Sequence, residues 1–362
     1  MLKKTLPAIF VLISIAAAAQ QLKPGFSKEE YAELMKVSAR SSASRSYYEK
    51  LPAPRHFKML YQSPVMGLDN MWDLWINENN VAALSIRGTT KHAVSWLANF
   101  YAAMVPAKGE LQVSSDYNFK YELAANPNAT VHTGWLICTA FLSRDMLPKI
   151  DSLYKKGVRE FYITGHSQGG AIAFLLTAYL YHLQKQQLLP ADIRFKTYCS
   201  AAPKPGNLYF AYDYEALTQN GWAYNVVNSA DWVPETPLSI QTTEDFNMTN
   251  PFSITKPVIK KQPFLKKIAL NHVYNRLDKS TKKAAKKYRK YLGTMIAKML
   301  KESLPGFVQP VYAKSFDYTR AGNTIVLQAD EAYYKLYPNS KTDIFVHHFH
   351  KPYLYLLDKL VY

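Results

Sequence analysis

The stretch Gly165-His166-Ser167-Gln168-Gly169-Gly170 constrains this chain more than any other. A short apolar run, Phe161-Tyr162-Ile163-Thr164, precedes it, and a long apolar run over residues 171–183 follows. The pattern predicts a buried strand, a tight turn and a buried helix. Glycine at 165 and 169 removes side chains that would clash as strand and helix close on each other. A serine on such a turn projects its hydroxyl outward, at the N-terminus of the helix. That helix end offers backbone N–H groups and a positive field to a developing oxyanion. The six residues alone also fit a plain glycine-rich turn. The strand before and the helix after them favour the elbow.

The same rhythm recurs along the chain. Strands are predicted at 71–76 and 81–86, joined by the turn-rich quartet Asn77-Glu78-Asn79-Asn80, and again at 194–200, 222–227 and 324–327. A capping box, Ser27-Lys28-Glu29-Glu30, opens a helix to about residue 36, and residues 38–46 read as a loop. Helices are also expected from 131–135 to about 147 and over 151–156. Large apolar residues at 96, 97, 100, 101 and 104 recur at helical spacing, and 106–130 reads as polar and irregular. Strands alternating with helices indicate a parallel sheet covered on both faces.

The rhythm stops between about 240 and 314. The formal charge of the chain is +17, and residues 256–301 hold fifteen Lys and Arg against one acid, Asp278, so the remainder is near balance. Residues 280–303 plot as one amphipathic helix. Ala284, Ala285, Tyr288, Tyr291, Leu292, Met295, Ile296 and Met299 fall in one sector, with lysines opposite. Lys282, Lys283, Lys286 and Lys287 are the candidates for contact with an anionic membrane surface. No nucleic-acid motif accompanies the charge. At the N-terminus, residues 1–19 have a basic start, an apolar run too short to span a bilayer and small residues before Gln20, the pattern of a cleaved export signal. The two cysteines, Cys138 and Cys199, exclude a disulfide framework and sit in apolar surroundings.

A serine hydroxyl needs a base, and the base needs an orienting carboxylate. After Ser167, Asp231 is the acid that lies just past a predicted strand, whereas Asp213 and Asp245 do not. The base candidates further on are His272, His347, His348 and His350. His272 lies inside the basic insert. His347 and His348 fit packed strand residues, and His350 precedes an apolar helical run at 353–360, at a loop-to-helix junction.

Five ordered stretches resemble the class 3 lipases, the family that includes filamentous-fungal triacylglycerol lipases. They are Ser85-Ile86-Arg87-Gly88-Thr89, Val131-His132-Thr133-Gly134-Trp135, the elbow, Ala202-Pro203-Lys204-Pro205-Gly206-Asn207, and Val226-Val227-Asn228 with Asp231-Trp232-Val233-Pro234. The resemblance implies an α/β-hydrolase fold, a mostly parallel sheet with helices on both faces, over residues 20–362 with a basic helical insert at about 240–314. It implies Ser167 as nucleophile and Asp231 as triad acid. It implies His350 as base, because the family has an aromatic residue three positions later and Tyr353 is there. Thr89 and Gln168 would supply the oxyanion hole, Arg87 and His132 would be structural, and residues 94–105 would be a candidate lid. Gln168 stands where the family commonly has leucine, and Ser200-Ala201 where it has Phe-Gly. Asp231 and His350 stand 119 positions apart, longer than the family norm.

The implied activity is that of an exported serine hydrolase cleaving carboxylic esters, lipid esters foremost, through an acyl-enzyme on Ser167, with no metal or cofactor. The rival is a non-catalytic surface-binding protein on the same scaffold, whose insert holds anionic lipid or polysaccharide.

Overall fold

The computed structural model describes residues 21–41 and 45–361. The expected export signal at 1–19 lies outside them. Helix α1 (Lys28–Arg40) is capped by the Ser27 hydroxyl, which accepts from the Glu30 N–H. It runs four residues past the expected end. Val37, Ser38 and Ala39 are buried, so tertiary packing holds a tail whose small polar residues read as a loop. A helical turn, α2 (Arg45–Tyr48), follows. Strands β1 (Phe57–Gln62), β2 (Trp72–Asn77) and β3 (Ala82–Ile86) come next.

Helix α3 (Ala93–Phe100) is shorter than its periodicity suggested. Tyr101 to Val105 are buried, and β4 (Met104–Pro106) enters a small sheet. The stretch expected to be irregular holds a hairpin, β5 (Lys108–Ser114) and β6 (Tyr117–Glu122). Its inward residues alternate with polar ones, Leu111 and Val113 on one strand and Phe119 and Tyr121 on the other. Strand β7 (Thr130–His132) leads into α4 (Thr133–Lys155), one helix where two were expected. Pro148 is exposed, and buried Met146 and Ile150 on either side hold the helix through it.

Then come β8 (Glu160–His166), α5 (Gln168–Lys185), β9 (Arg194–Ser200), β10 (Gly206–Asn207), α6 (Leu208–Leu217) and β11 (Ala223–Asn228). The basic segment folds as α7 (Pro251–Lys260), α8 (Phe264–Arg289), a π-helical stretch at Lys290–Met295, and α9 (Ile296–Ser303). Strands β12 (Tyr318–Thr319) and β13 (Asn323–Leu327), then α10 (Glu331–Leu336) and α11 (His350–Lys359), close the chain.

The main sheet has the order β1-β2-β3-β8-β9-β11-β13. From β3 to β13 every pairing is parallel, while β1 and β2 are antiparallel. The fold is therefore α/β with a mostly parallel sheet. One face packs on α4 and α5, with Leu136, Phe174 and Leu176 in the core. The other packs on α1 and α11, with Leu34, Tyr198 and Leu357 between them. The elbow thus sits at the carboxyl end of a strand flanked by parallel neighbours, where ligand sites of open α/β sheets lie.

In the basic segment the buried face differs from the expected one. Ala285, Tyr288, Gly293, Ile296, Ala297 and Leu300 are covered, whereas Tyr291, Met295 and Met299 are exposed. The π-helical stretch takes more residues per turn, so the docked stripe slips relative to a 100° wheel. Gly293 allows the close approach, since a side chain there would meet the Ala103 Cβ and the Tyr312 ring at 2.9 Å. Among the described residues no helix is long and apolar enough to cross a membrane. Cys138 and Cys199 are free and buried.

Candidate active site

Ser167 has φ 61° and ψ −128°, a conformation that side chains with a Cβ rarely adopt. Strand β8 ends immediately before it and α5 begins immediately after it. The turn closes so tightly that a Cβ at Gly165 would lie 2.3 Å from the Gly169 carbonyl, and one at Gly169 would lie 2.2 Å from the Ile86 oxygen. The Ser167 N–H donates to the Ser200 carbonyl at 2.9 Å, which anchors the turn to β9. Ser167 is half-buried among buried neighbours, and its side chain makes no capping bond to α5. The first N–H groups of a helix have no acceptor within it, so α5 opens with donors beside the hydroxyl.

Asp231 follows β11 and is buried. One carboxylate oxygen accepts the Val233 N–H at 3.0 Å. The other accepts His348 Nδ1 at 2.8 Å and the Tyr353 hydroxyl at 2.8 Å. A carboxylate at Nδ1 fixes the proton there and leaves Nε2 of His348 as the basic nitrogen. His348 lies in the turn before α11, and its carbonyl accepts from His166 Nε2 at 2.7 Å. The histidine paired with Asp231 is thereby tied to the residue next to Ser167.

The expectation for His350 is corrected by this geometry. His350 opens α11, and both of its ring nitrogens are engaged elsewhere. Nδ1 accepts from the Tyr47 hydroxyl at 2.7 Å, because Nε2 carries the proton of the neutral ring, and the same oxygen accepts the His350 N–H. Nε2 donates to the Ser38 hydroxyl at 3.0 Å, which donates onward to the Met35 carbonyl. The aromatic marker Tyr353 does reach the acid, but the histidine beside it there is five positions earlier rather than three. His347 bonds Tyr333 and Asn339.

His166 and His350 stack at 4.3 Å between ring centres, both buried. Burial, then the neighbouring His350 and His348, hold the His166 imidazole well below the usual range. Burial and then His348 push His350 down to about 3, and burial pushes His132 down to about 3. In the unfolded chain these rings take protons near pH 6.5, at about the ordinary histidine value. Below that pH the unfolded state binds more protons, so stability is full above it and falls as the pH drops toward 3. Each such histidine adds about 1.4 kcal/mol per pH unit to the slope. Urea midpoints across this range should fall steadily, and His350→Gln should remove about one proton from the slope. An unchanged slope in that variant would mean that His350 takes its proton in the folded state.

On the other side of Ser167, the segment after β3 carries Thr89. Buried Arg87 donates to the Asp69 carbonyl at 2.7 Å and to its carboxylate at 3.2 Å. Asp69 also accepts from the Thr90 hydroxyl and contacts His92 Nδ1 at 3.0 Å. Arg87 is thus part of the clamp that shapes the Thr89 segment. The Thr89 hydroxyl accepts from Asn99 Nδ2 at 3.0 Å. Asn99 Oδ1 accepts from Gln168 Nε2 at 2.8 Å and Trp135 Nε1 at 3.1 Å, and the Asn99 carbonyl accepts from His132 Nε2 at 3.1 Å. Gln168 also donates to the Ser95 carbonyl at 3.0 Å. Asn99 therefore joins both expected oxyanion residues, and sequence reasoning passed over it. Its signal was a lone amide on a mostly apolar helix.

The candidate lid over 94–105 is corrected in extent. Only α3 lies over the site, and residues 101–105 are core. Trp96 packs near Phe345 at 6.3 Å, Trp232 near Phe345 at 5.6 Å, and Phe345 near His348 at 5.7 Å. An aromatic wall thus stands over the Asp231–His348 pair, with Phe100, Trp232 and Phe349 exposed at its margin. Among the described residues no group of three or more His, Cys, Asp or Glu is placed to hold a metal ion.

Residues 83–240 match the model of the family "Lipase (class 3)". No curated protein matches the chain. Among solved structures it is similar to the Rhizomucor miehei lipase propeptide complex, at 20% identity and TM-score 0.41, covering 59% of this chain and 65% of that one. It thus spans just under two thirds of that lipase chain. It is also similar to the Lip2 lipase of Yarrowia lipolytica, at 19% identity and TM-score 0.43, covering 58% and 72%. The lipase of Rhizopus microsporus var. chinensis matches at 19% identity and TM-score 0.41, covering 65% and 80%.

Proposed function

We propose that this chain, which over residues 83–240 belongs to the class 3 lipase family, hydrolyses carboxylic esters of lipids through a covalent acyl-enzyme on Ser167. The observation that carries the reading is the pairing of Asp231 with His348 Nδ1 at 2.8 Å, beside a strained, half-buried serine. His348 takes the proton of Ser167 through Nε2 as the hydroxyl oxygen attacks the ester carbonyl. The tetrahedral oxyanion is met by N–H groups of Thr89 and Gln168. The proton passes to the leaving alcohol, and the acyl group stays on Ser167. Water, deprotonated by His348, then releases the acid and restores the serine. Asp231, held in place by the Tyr353 hydroxyl, orients the imidazole and favours its protonated form. The wall of Trp96, Trp232 and Phe345 suits an acyl chain better than a polar group. The basic, apolar, small-residue pattern of residues 1–19 supports export.

A fluorophosphonate probe tests the reading, because it phosphonylates only a serine activated by its base. The expected result is one stoichiometric adduct on the peptide carrying Ser167, with loss of p-nitrophenyl butyrate hydrolysis. A folded protein that takes no probe and turns over no ester would favour the non-catalytic surface-binding alternative.

A further inference from the structure

The first half of α8 turns polar residues toward the body and apolar residues toward water. Between 264 and 279, the least exposed positions of α8 are the half-buried Lys267, Asn271, Tyr274 and Asn275 and the buried Asp278. Their spacing is one helical stripe, and it is polar. The uncovered surface bears Phe264 at 74% exposure, Leu265 at 79%, Leu277 at 68% and, between them, Val273. Helix α7 adds exposed Ile254, and the loop before it adds Met248 at 94%. A solvated surface helix has the opposite arrangement. Lys256, Lys260, Lys261 and Lys266 are exposed among these apolar residues, and the one acid of the stretch, Asp278, is buried.

Water satisfies neither feature. Contiguous exposed apolar surface marks an interaction site, and clustered like charges repel. A second copy of the chain would cover the apolar residues but would set lysine against lysine. Nucleic acid would neutralise the charge and leave Phe264, Leu265 and Leu277 without a partner. The surface of an anionic bilayer meets both needs. Apolar side chains enter the boundary between headgroups and acyl chains, while lysines stay at the phosphates.

We propose that α7 and the first half of α8 anchor this protein to anionic lipid bilayers. The anchor lies upstream of the lysines that the sequence singled out. Lys282 is paired with Asp278 at 3.0 Å and Glu244 at 3.5 Å, which removes it from the lipid-facing set. The far end of the insert packs against α3 through α9, and the Leu292 carbonyl accepts the N–H of Ala103, just past α3, at 3.0 Å. A docked insert therefore sets how α3 and the aromatic wall meet the lipid. The binding itself does not depend on the ester-hydrolase reading.

The test is co-sedimentation of the full chain with vesicles of phosphatidylglycerol or of phosphatidylcholine, at low and raised salt. The expected result is binding to the first and not to the second. Changing Lys256, Lys260, Lys261 and Lys266 together to Glu should weaken binding at least about tenfold, given the attraction of each basic residue to an anionic surface. Phe264→Ser with Leu265→Ser and Val273→Ser should also weaken it and make what remains wholly salt-dependent. Both variants should keep the parent's rate on p-nitrophenyl butyrate, which reports folding and hydrolysis apart from binding. Equal binding by parent and variants, or no binding by the parent, overturns the anchor. So does a parent dimer, without vesicle affinity, that the triple-serine variant dissociates.

Discussion

His348→Ala is expected to lower kcat on a soluble ester by about 10³-fold or more, the scale on which removal of a triad base acts. His350→Ala is expected to retain most of the turnover and to lose stability instead. The contrast follows from what each ring touches. His348 Nδ1 and the Tyr353 hydroxyl share one oxygen of Asp231, the arrangement that orients a histidine as the proposed base for Ser167. His350 is held between Tyr47 and Ser38, and its loss leaves the buried Ser38 hydroxyl and the part-buried Tyr47 hydroxyl each short of a partner. Leaving buried polar groups unpaired costs about 1–3 kcal/mol each. Purified variants compared by kcat on p-nitrophenyl butyrate and by urea midpoint separate the two effects. A folded, inactive His350→Ala beside an active His348→Ala would assign the base to His350 and require the turn at 343–349 to rearrange.

These two histidines also show where the sequence stops being legible. The run His347-His348-Phe349-His350 offers three imidazoles within four positions. Selecting among them depends on the turn that α11 makes with β11, and that is a tertiary fact. The aromatic residue at 353 was a sound marker of the acid's surroundings but a poor ruler for the base. By contrast, the elbow was readable because glycine, serine and two apolar runs all act within about twenty residues. The central strands were readable for the same reason, since alternation and apolar runs are local. The hairpin at 108–122 was not, because Leu111, Val113, Phe119 and Tyr121 are thinly spread among polar residues. The tail of α1 depends on burial of Val37 and Ala39 by other elements. The slip of the buried stripe in α8 and α9 depends on six residues of π-helix that no periodicity of 3.6 foresees. Asn99 gains its meaning only when Thr89, Gln168, and His132 with Trp135 converge on it from three separate segments.

Ser167→Ala and Ser167→Gly should both lower kcat by about 10³-fold or more, because neither side chain can carry an acyl group. They should part in stability. Alanine keeps the Cβ at φ 61° and ψ −128° and hence the strain of the elbow. Glycine removes it. A residue held in such a conformation costs about 1–3 kcal/mol, while glycine loses about 0.5–1 kcal/mol through the freedom it gives the unfolded chain. The balance favours glycine, so the expected order of Tm is Ser167→Gly above Ser167→Ala, with alanine close to the parent. Calorimetry of the three proteins, with hydrolysis of p-nitrophenyl butyrate alongside, reads both effects. Near-parental turnover in Ser167→Ala would remove the serine from the chemistry. A glycine variant less stable than the alanine one would show that the elbow stores no strain. The expected order ties the two properties to one atom. The Cβ that strains the turn is the atom that carries the hydroxyl, at the N-terminal end of α5.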